Sequence, residues 1–274
     1  MSYVALIAGQ GAMPVKIIEE LHARGKKVLL LGIKGLTPQN LTDQVDKVVW
    51  GGITRLGKAR SACRKNNVKE IVMGGLIKHN NIFSLSVLNM DLVTMKAFMG
   101  LADLRADTIC SKIVEVFQNK GISFLPTTQI LKRYLATSGV LTHKKPTKKI
   151  LEDIQFGLKL AKELGRLDIG QCVVVKNKSV VALEAMEGTD QCLQRSGEVA
   201  GEGCVVVKLS KPKQDARFDV PVIGKNTIEK LVKIKAAAIA IEAGKTLIID
   251  NEVVELANQH GIIVVSVDLA TFQS

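Results

Sequence analysis

Tyr3-Val4-Ala5-Leu6-Ile7-Ala8-Gly9-Gln10-Gly11-Ala12-Met13-Pro14 is the stretch from which the fold of the first half follows. Its apolar run Tyr3–Ala8 is short, continuous and closed by glycine, the pattern of a fully buried strand. Pro14 stands at the first turn of a helix over Val15–Ala23, where a missing N–H costs nothing. Strand, glycine turn and helix N-terminus in that order form a ready anion site. Further out, strands at Val28–Leu31, Lys47–Val49 and Glu70–Met73 alternate with an amphipathic helix over Thr54–Lys65. This order predicts an α/β fold with a Rossmann-like parallel sheet and ligands at the carboxyl ends of its strands. Gly9, Gly11, Gly74 and Gly75 all fall at such ends. As a dinucleotide fingerprint the turn is incomplete, since the third glycine is absent. The second strand also ends in Gly32-Ile33-Lys34, with no acid to bind a ribose. An NAD-dependent enzyme is therefore disfavoured.

The same half continues with Lys78-His79-Asn80-Asn81 and a helical region over Ser84–Lys120, in which Asp103, Arg105 and Asp107 precede the helix Thr108–Asn119. A strand at Ile122–Leu125 closes it. From Ala136 to Lys149 the periodicity lapses, and four lysines crowd the last six residues. These breaks predict an N-terminal domain over 1–135, a linker over 136–149 and a second, mixed α/β domain over 150–274. In that domain a helix Lys148–Leu164 leads to a hairpin, Cys172–Lys176 and Ser179–Glu184, turning at Asn177-Lys178. A helix Thr227–Lys235, a strand pair near Ala237–Ile241 and Thr246–Ile249, a helix Glu252–His260 and a strand Ile262–Val267 complete it.

A net charge of +12 over 274 residues favours an anionic partner: a nucleotide, a nucleic acid or an anionic membrane face. One Trp and two Tyr, with 4% aromatic residues, argue against nucleic acid, whose bases need stacking platforms. Five cysteines without a C-x-x-C pair predict buried free thiols in a reducing compartment. No basic leader precedes the first strand, and no run approaches the roughly 18 apolar residues of a spanning helix, so membrane contact is expected to be peripheral. The lysines of 144–149 are a solvated charge run or, near an anionic leaflet, a contact worth about 1 kcal/mol each.

The chemistry concentrates in the second half. One cluster runs from Glu184 to Arg195; the other, Lys208–Asp219, carries Lys211-Pro212-Lys213-Gln214-Asp215-Ala216-Arg217-Phe218-Asp219 behind the apolar run Val205-Val206-Val207. Both follow strands expected to lie side by side. Pro212 and Pro221 predict an ordered loop, since proline fixes φ and removes a donor. Carboxylates beside cations on such a loop suit a phosphate and a hard divalent ion such as Mg²⁺, and they also suit a surface loop whose charges pair among themselves. Four scattered histidines make no zinc spacing, and neither a nucleophile elbow nor a P-loop is visible.

These residues carry a resemblance. Leu167-Asp168-Ile169-Gly170-Gln171, Glu184-Ala185-Met186-Glu187-Gly188-Thr189-Asp190 with Arg195, and Lys211–Thr227 are similar to the second-half motifs of the LpxI family, UDP-2,3-diacylglucosamine pyrophosphatases of lipid A biosynthesis. Ala8-Gly9-Gln10-Gly11 with Pro14 resembles that family's opening. Where the family is expected to read Gly-Asp-Asp, this chain has Arg105-Ala106-Asp107, so nothing is carried onto Arg105 or Ala106. The resemblance implies Mg²⁺-dependent hydrolysis of UDP-2,3-diacylglucosamine to UMP and 2,3-diacylglucosamine 1-phosphate (lipid X). It implies a cytoplasmic enzyme at the inner membrane, peripherally bound, with its ligand between two domains; whether it forms a homodimer is open. A nucleotide-sugar or lipid-phosphate binding protein without turnover is the alternative.

On this basis Asp215, Asp219 and Arg217 are the catalytic candidates, and Asp215, Asp190 and Asp219 the Mg²⁺ ligands. Gly9, Gln10, Gly11, Gly74, Gly75, Gly188, Thr189, Arg195, Lys211, Gln214 and Thr227 are the candidate substrate-binding residues. Three plainer roles stand beside these. Asp219 pairs with Arg217, Thr189-Asp190 caps a helix, and Gly9–Gly11 is a tight turn only.

Overall fold

The computed structural model describes residues 2–76, 90–99, 101, 106–212, 214–250 and 252–271. Lys78–Asn81, Asp103, Arg105 and Lys213 therefore lie outside the described residues. The chain forms two compact units: Met1–Lys132 with Ala216–Asp219, and Arg133–Asp215 with Val220–Ser274.

In the first unit, β1 (Tyr3–Ala8), α1 (Met13–Ala23), β2 (Lys27–Gly32), β3 (Lys47–Trp50), α2 (Leu56–Lys65) and β4 (Glu70–Gly74) follow in order. Next come α3 (Leu92–Phe98), α4 (Ala106–Gln118), β5 (Ser123–Phe124) and a single helical turn, α5 (Thr127–Ile130). The sheet order is β3-β2-β1-β4-β5, and every pairing is parallel. That is the order of the first five strands of a doubly wound sheet. Side chains alternate across a strand, so Ala5, Ile7, Leu29, Leu31, Ile71 and Met73 share one face. There they form a core with Leu56, Ala59 and Cys63 of α2 and Ile109, Ile113 and Phe117 of α4. Helix α1 packs on β1, β2 and β4.

The second unit begins with β6 (Gly139–Val140), α6 (Lys148–Arg166), β7 (Cys172–Lys176) and β8 (Ser179–Leu183). It continues with α7 (Thr189–Ala200), β9 (Val205–Lys208), β10 (Val222–Ile223), α8 (Lys225–Lys233), β11 (Ala238–Glu242), β12 (Leu247–Ile248), α9 (Glu252–Gln259) and β13 (Ile263–Val267). Its main sheet has the order β6-β13-β11-β9-β7-β8, parallel from β13 to β9 and antiparallel at both flanks. One face of this sheet meets α6 through Ile154, Leu158, Ala161 and Leu164. The other meets Leu193 of α7, Ile228 and Leu231 of α8 and Val253 of α9. Gly157 lets α6 lie close, because a Cβ there would stand 2.6 Å from Val207 Cγ2.

Three sequence expectations change here. The stretch 136–149 carries β6, which pairs with β13, and Ala136 N–H donates to Thr246 O at 2.9 Å. Composition conceals this because a two-residue edge strand needs no apolar run. The strands near 238–242 and 247–248 do not pair with each other: β11 joins the main sheet, while β12 pairs with β10. Finally, β7 lies between β8 and β9. The hairpin turn holds as expected, with Asn177 and Lys178 both at positive φ (52° and 56°). The Asp153 carboxylate accepts both of their N–H groups, at 3.0 and 2.6 Å.

Candidate active site

In the first unit the carboxyl ends of β1 and β4 meet back to back. Gly9 N–H donates to Gly74 O at 2.8 Å, and Gln10 and Leu76 exchange two main-chain bonds, at 3.0 and 2.8 Å. A Cβ on Gly9 would stand 2.7 Å from Leu76 O, and one on Gly75 2.8 Å from Gln10 O. These two glycines are required by backbone approach. Gly11 differs: its φ is +97° and nothing lies within 4 Å of a would-be Cβ, so it borders open space ahead of α1. The α1 N-cap, Ala12, supplies no side-chain cap, and Pro14 occupies the first turn as expected.

The acidic loop is held at defined points. Lys211 N–H donates to Gln214 Oε1 and Gln214 N–H to Lys211 O, both at 3.0 Å. The Lys211 ammonium lies 3.0 Å from Asp168 Oδ1. Asp168 reaches it from the end of α6, in the left-handed region at φ 56°. Ala216–Asp219 then belongs to the first unit, although Asp215 before it and Val220 after it belong to the second. The anchor is Thr127, whose N–H donates to Ala216 O at 2.9 Å. The Thr127 hydroxyl donates to Met73 O at 2.7 Å and lies 3.2 Å from Arg217 O. Phe218 packs on the first unit's core.

In the second unit, the carboxyl ends of β9 and β11, the end of β8 and the start of β7 share one end of the sheet. Charged residues are buried there: Glu184, Lys208 and Glu242 are 7%, 8% and 4% exposed. Glu242 accepts from Ser210 N–H at 3.1 Å and pairs with Lys245 at 2.6 Å. Glu184 Oε1 accepts from the Thr189 hydroxyl at 3.1 Å. Burial pushes the Glu184 carboxyl above the usual range, against the pull of Lys208, Thr189, the Gln171 N–H and Lys211. Gly170 must be glycine because its Cβ would stand 2.1 Å from Glu184 O.

Helix α7 begins at Gly188, its N-cap, with φ +81°. Thr189 and Asp190 lie within the first turn and do not cap it. Asp190 pairs with Lys230 of α8. Arg195 donates to Leu183 O at 3.0 Å and to Glu187 Oε1 at 2.8 Å. Thr227 lies in the first turn of α8, where its N–H donates to Gly224 O at 2.9 Å.

Among the described residues, no three His, Cys, Asp or Glu side chains gather as a metal-holding group. Magnesium does not demand one, since it commonly takes one or two carboxylates together with waters and substrate phosphate oxygens. Asp215 and Asp219 are both half-buried. Sequence reasoning had given no role to Glu184, Gln171, Glu242 or Thr127. A charged residue closing an apolar run, as in Val205-Val206-Val207-Lys208 and Ile239-Ala240-Ile241-Glu242, was the available signal. No disulfide joins the five cysteines, and Cys63, Cys172, Cys192 and Cys204 are buried.

Residues 3–134 match the LpxI N-terminal domain and residues 137–265 the LpxI C-terminal domain. A curated relative from Caulobacter vibrioides, the UDP-2,3-diacylglucosamine pyrophosphatase LpxI, is 29% identical over 277 residues, covering 98% of each chain. Among solved structures, UDP-glucose 4-epimerase of Thermus thermophilus in complex with NAD is similar at TM-score 0.30 and 15% identity, over 53% of this chain and 41% of that one. The biotin carboxylase of Campylobacter jejuni reaches TM-score 0.23 and 12% identity, over 72% and 42%. Likeness at that level says nothing about this chain's ligands.

Proposed function

The chain belongs to the LpxI family, and from that premise we propose that it hydrolyses the pyrophosphate bond of UDP-2,3-diacylglucosamine, releasing UMP and 2,3-diacylglucosamine 1-phosphate. The observation that carries this reading is the 98% coverage, in both directions, by a relative bearing that activity in its name.

The proposed chemistry rests on the loop Lys211–Asp219. Asp215 is the principal acid and orients the attacking water, and Asp219 is the second carboxylate of the same loop. Together they would hold Mg²⁺, which when bound supplies charge neutralisation at phosphoryl oxygens. Arg217 and Lys211 face the pyrophosphate charge, with the planar guanidinium suited to bidentate contact. Lys211 is already steadied by Asp168 and Gln214. Among the candidate substrate-binding residues, Gly188, Thr189, Arg195, Gln214 and Thr227 belong to the second unit. Gly9, Gln10, Gly11, Gly74 and Gly75 belong to the first, where Gly9 and Gly75 let the β1 and β4 ends approach. Asp190 is the weakest of the metal candidates, since Lys230 occupies it. We place the enzyme at the cytoplasmic face of the inner membrane as a peripheral protein. Among the described residues no helix is long and apolar enough to cross a membrane, and the substrate's acyl chains require a lipid surface.

Release of UMP by the purified protein with and without Mg²⁺ tests the reaction. Asp215→Ala is expected to lower it by about 100-fold or more, and Asp190→Asn by only a few-fold. Retained ligand without UMP release supports the non-catalytic binding protein. Activity of Asp215→Ala near wild type removes Asp215 from the mechanism, and a loss in Asp190→Asn equal to that in Asp215→Ala returns Asp190 to the metal.

A further inference from the structure

Among the described residues, six buried side-chain atoms of the second unit lack a hydrogen-bond partner, and four of them stand on the loops that flank β7, β8 and β9 at one end of the main sheet. They are Gln171 Oε1, Glu184 Oε2, Ser210 Oγ and Gln214 Nε2. Their placement is contiguous by bonding. Gln171 O accepts from Leu209 N–H at 3.0 Å, the Glu184 N–H donates to the O of Cys172, the residue after Gln171, at 2.9 Å, and Ser210 follows Leu209 directly. Gln214 joins through its two bonds with Lys211. Cys172 pairs with Lys208 across β7 and β9, so Gln171 lies beside the buried lysine.

Each buried polar atom left unpaired is destabilising, more so when charged. Native proteins keep few such atoms, and here four share one sheet end. Their chemistry is mixed. Two are acceptors and one is a donor, because the Gln214 oxygen is already committed to Lys211 N–H; the serine hydroxyl can do either. Lys208 and Lys211 add positive charge beside them. Carboxyl ends of parallel strands are the usual place for a ligand in such sheets.

We propose that Glu184 and Gln171 form a polar subsite that accepts hydrogen bonds from a ligand hydroxyl or amide N–H, held next to the anionic group that Lys208 and Lys211 attract. The proposal deepens the reading above and rests on it for the ligand. UDP-2,3-diacylglucosamine offers such donors from two sources, sugar hydroxyls and the uracil N–H. Glu184 is the sharper of the two recognition residues. It is 93% buried and spends only one oxygen, on the Thr189 hydroxyl. Both would touch the ligand, while Asp215 remains the acid proposed for the hydrolysis.

The test uses the full-length protein with Glu184→Gln, Glu184→Ala and Gln171→Leu, each checked by thermal melting. Calorimetric binding of UMP and of lipid X is measured separately, alongside KM and kcat for UMP release. Losing one charged buried acceptor is expected to weaken one of the two ligands by about 10–100-fold. The rise should appear in KM more than in kcat, with a smaller loss for Gln171→Leu. Selective loss of UMP assigns the donor to the uracil or ribose; selective loss of lipid X assigns it to the glucosamine. Unchanged binding of both ligands by folded variants overturns the subsite and leaves the orphan atoms to structural water. Equal weakening of both together with a lowered melting temperature also overturns it. Wild-type protein that binds these ligands but releases no UMP sinks the proposed reaction and not the subsite.

Discussion

Thr127 ties Ala216 into the first unit: its main-chain N–H donates to the Ala216 carbonyl at 2.9 Å, while its hydroxyl, 1% exposed as a residue, donates to Met73 O at the end of β4. A residue of an unremarkable helical turn thereby holds the segment that carries Arg217 and Asp219.

Thr127→Val keeps the shape and removes the hydroxyl, leaving Met73 O without its donor. Stability is expected to fall by about 1–2 kcal/mol, read from urea unfolding midpoints. UMP release should drop several-fold, because the hydroxyl that lies beside Arg217 O is lost from the loop's anchor, and Thr127→Ser should restore most of both. Full activity in the valine variant would show that the loop is placed without this hydroxyl.

Gly9→Ala and Gly11→Ala separate two uses of glycine in one turn. A methyl on Gly9 meets the Leu76 carbonyl and the Gly75 backbone, none of which can move freely, so a loss of about 3 kcal/mol or more is expected. A methyl on Gly11 meets nothing, and only its φ of +97° is unfavourable, at about 1–2 kcal/mol. Chemical denaturation of the two variants should rank them in that order. If Gly11→Ala abolishes ligand binding while costing little stability, the open space beside it is occupied by substrate.

The buried Glu184 carboxyl gives a pH dependence with a definite sign. Its folded pKa lies above the unfolded value of about 4.3. Between the two, the folded chain holds the extra proton, so stability is full below the unfolded value and declines as pH rises through the folded one. Glu184→Gln cannot titrate. The melting temperature of the variant minus that of wild type should therefore increase from about pH 4 to about pH 8. A difference that is flat across that range would mean that Glu184 titrates as it does unfolded.

Much of this molecule was open to inspection along the chain. Four of the five parallel strands of the first unit were announced by short apolar runs that close on glycine, and the fifth by one that closes on Pro126; local rules suffice because a buried strand has nothing polar to show. The Asn177-Lys178 turn was equally plain, since two consecutive positive φ values leave few residue choices. The acidic loop was visible too, as an unusual density of charge between two prolines.

What lay hidden was pairing across distance. Nothing local says that β7 inserts between β8 and β9, that Gly139–Val140 becomes an edge strand, or that Asp190 spends its charge on Lys230. Nor does it say that Glu184 is sealed from water while Glu187, three residues on, pairs with Arg195 near the surface. Residue order alone established the alternation of elements and the chemical inventory, because both depend on neighbours within a few residues. Only the folded chain decided which of those charges are buried and which are spent on each other. Burial and partnership are properties of segments brought together from far apart along the backbone.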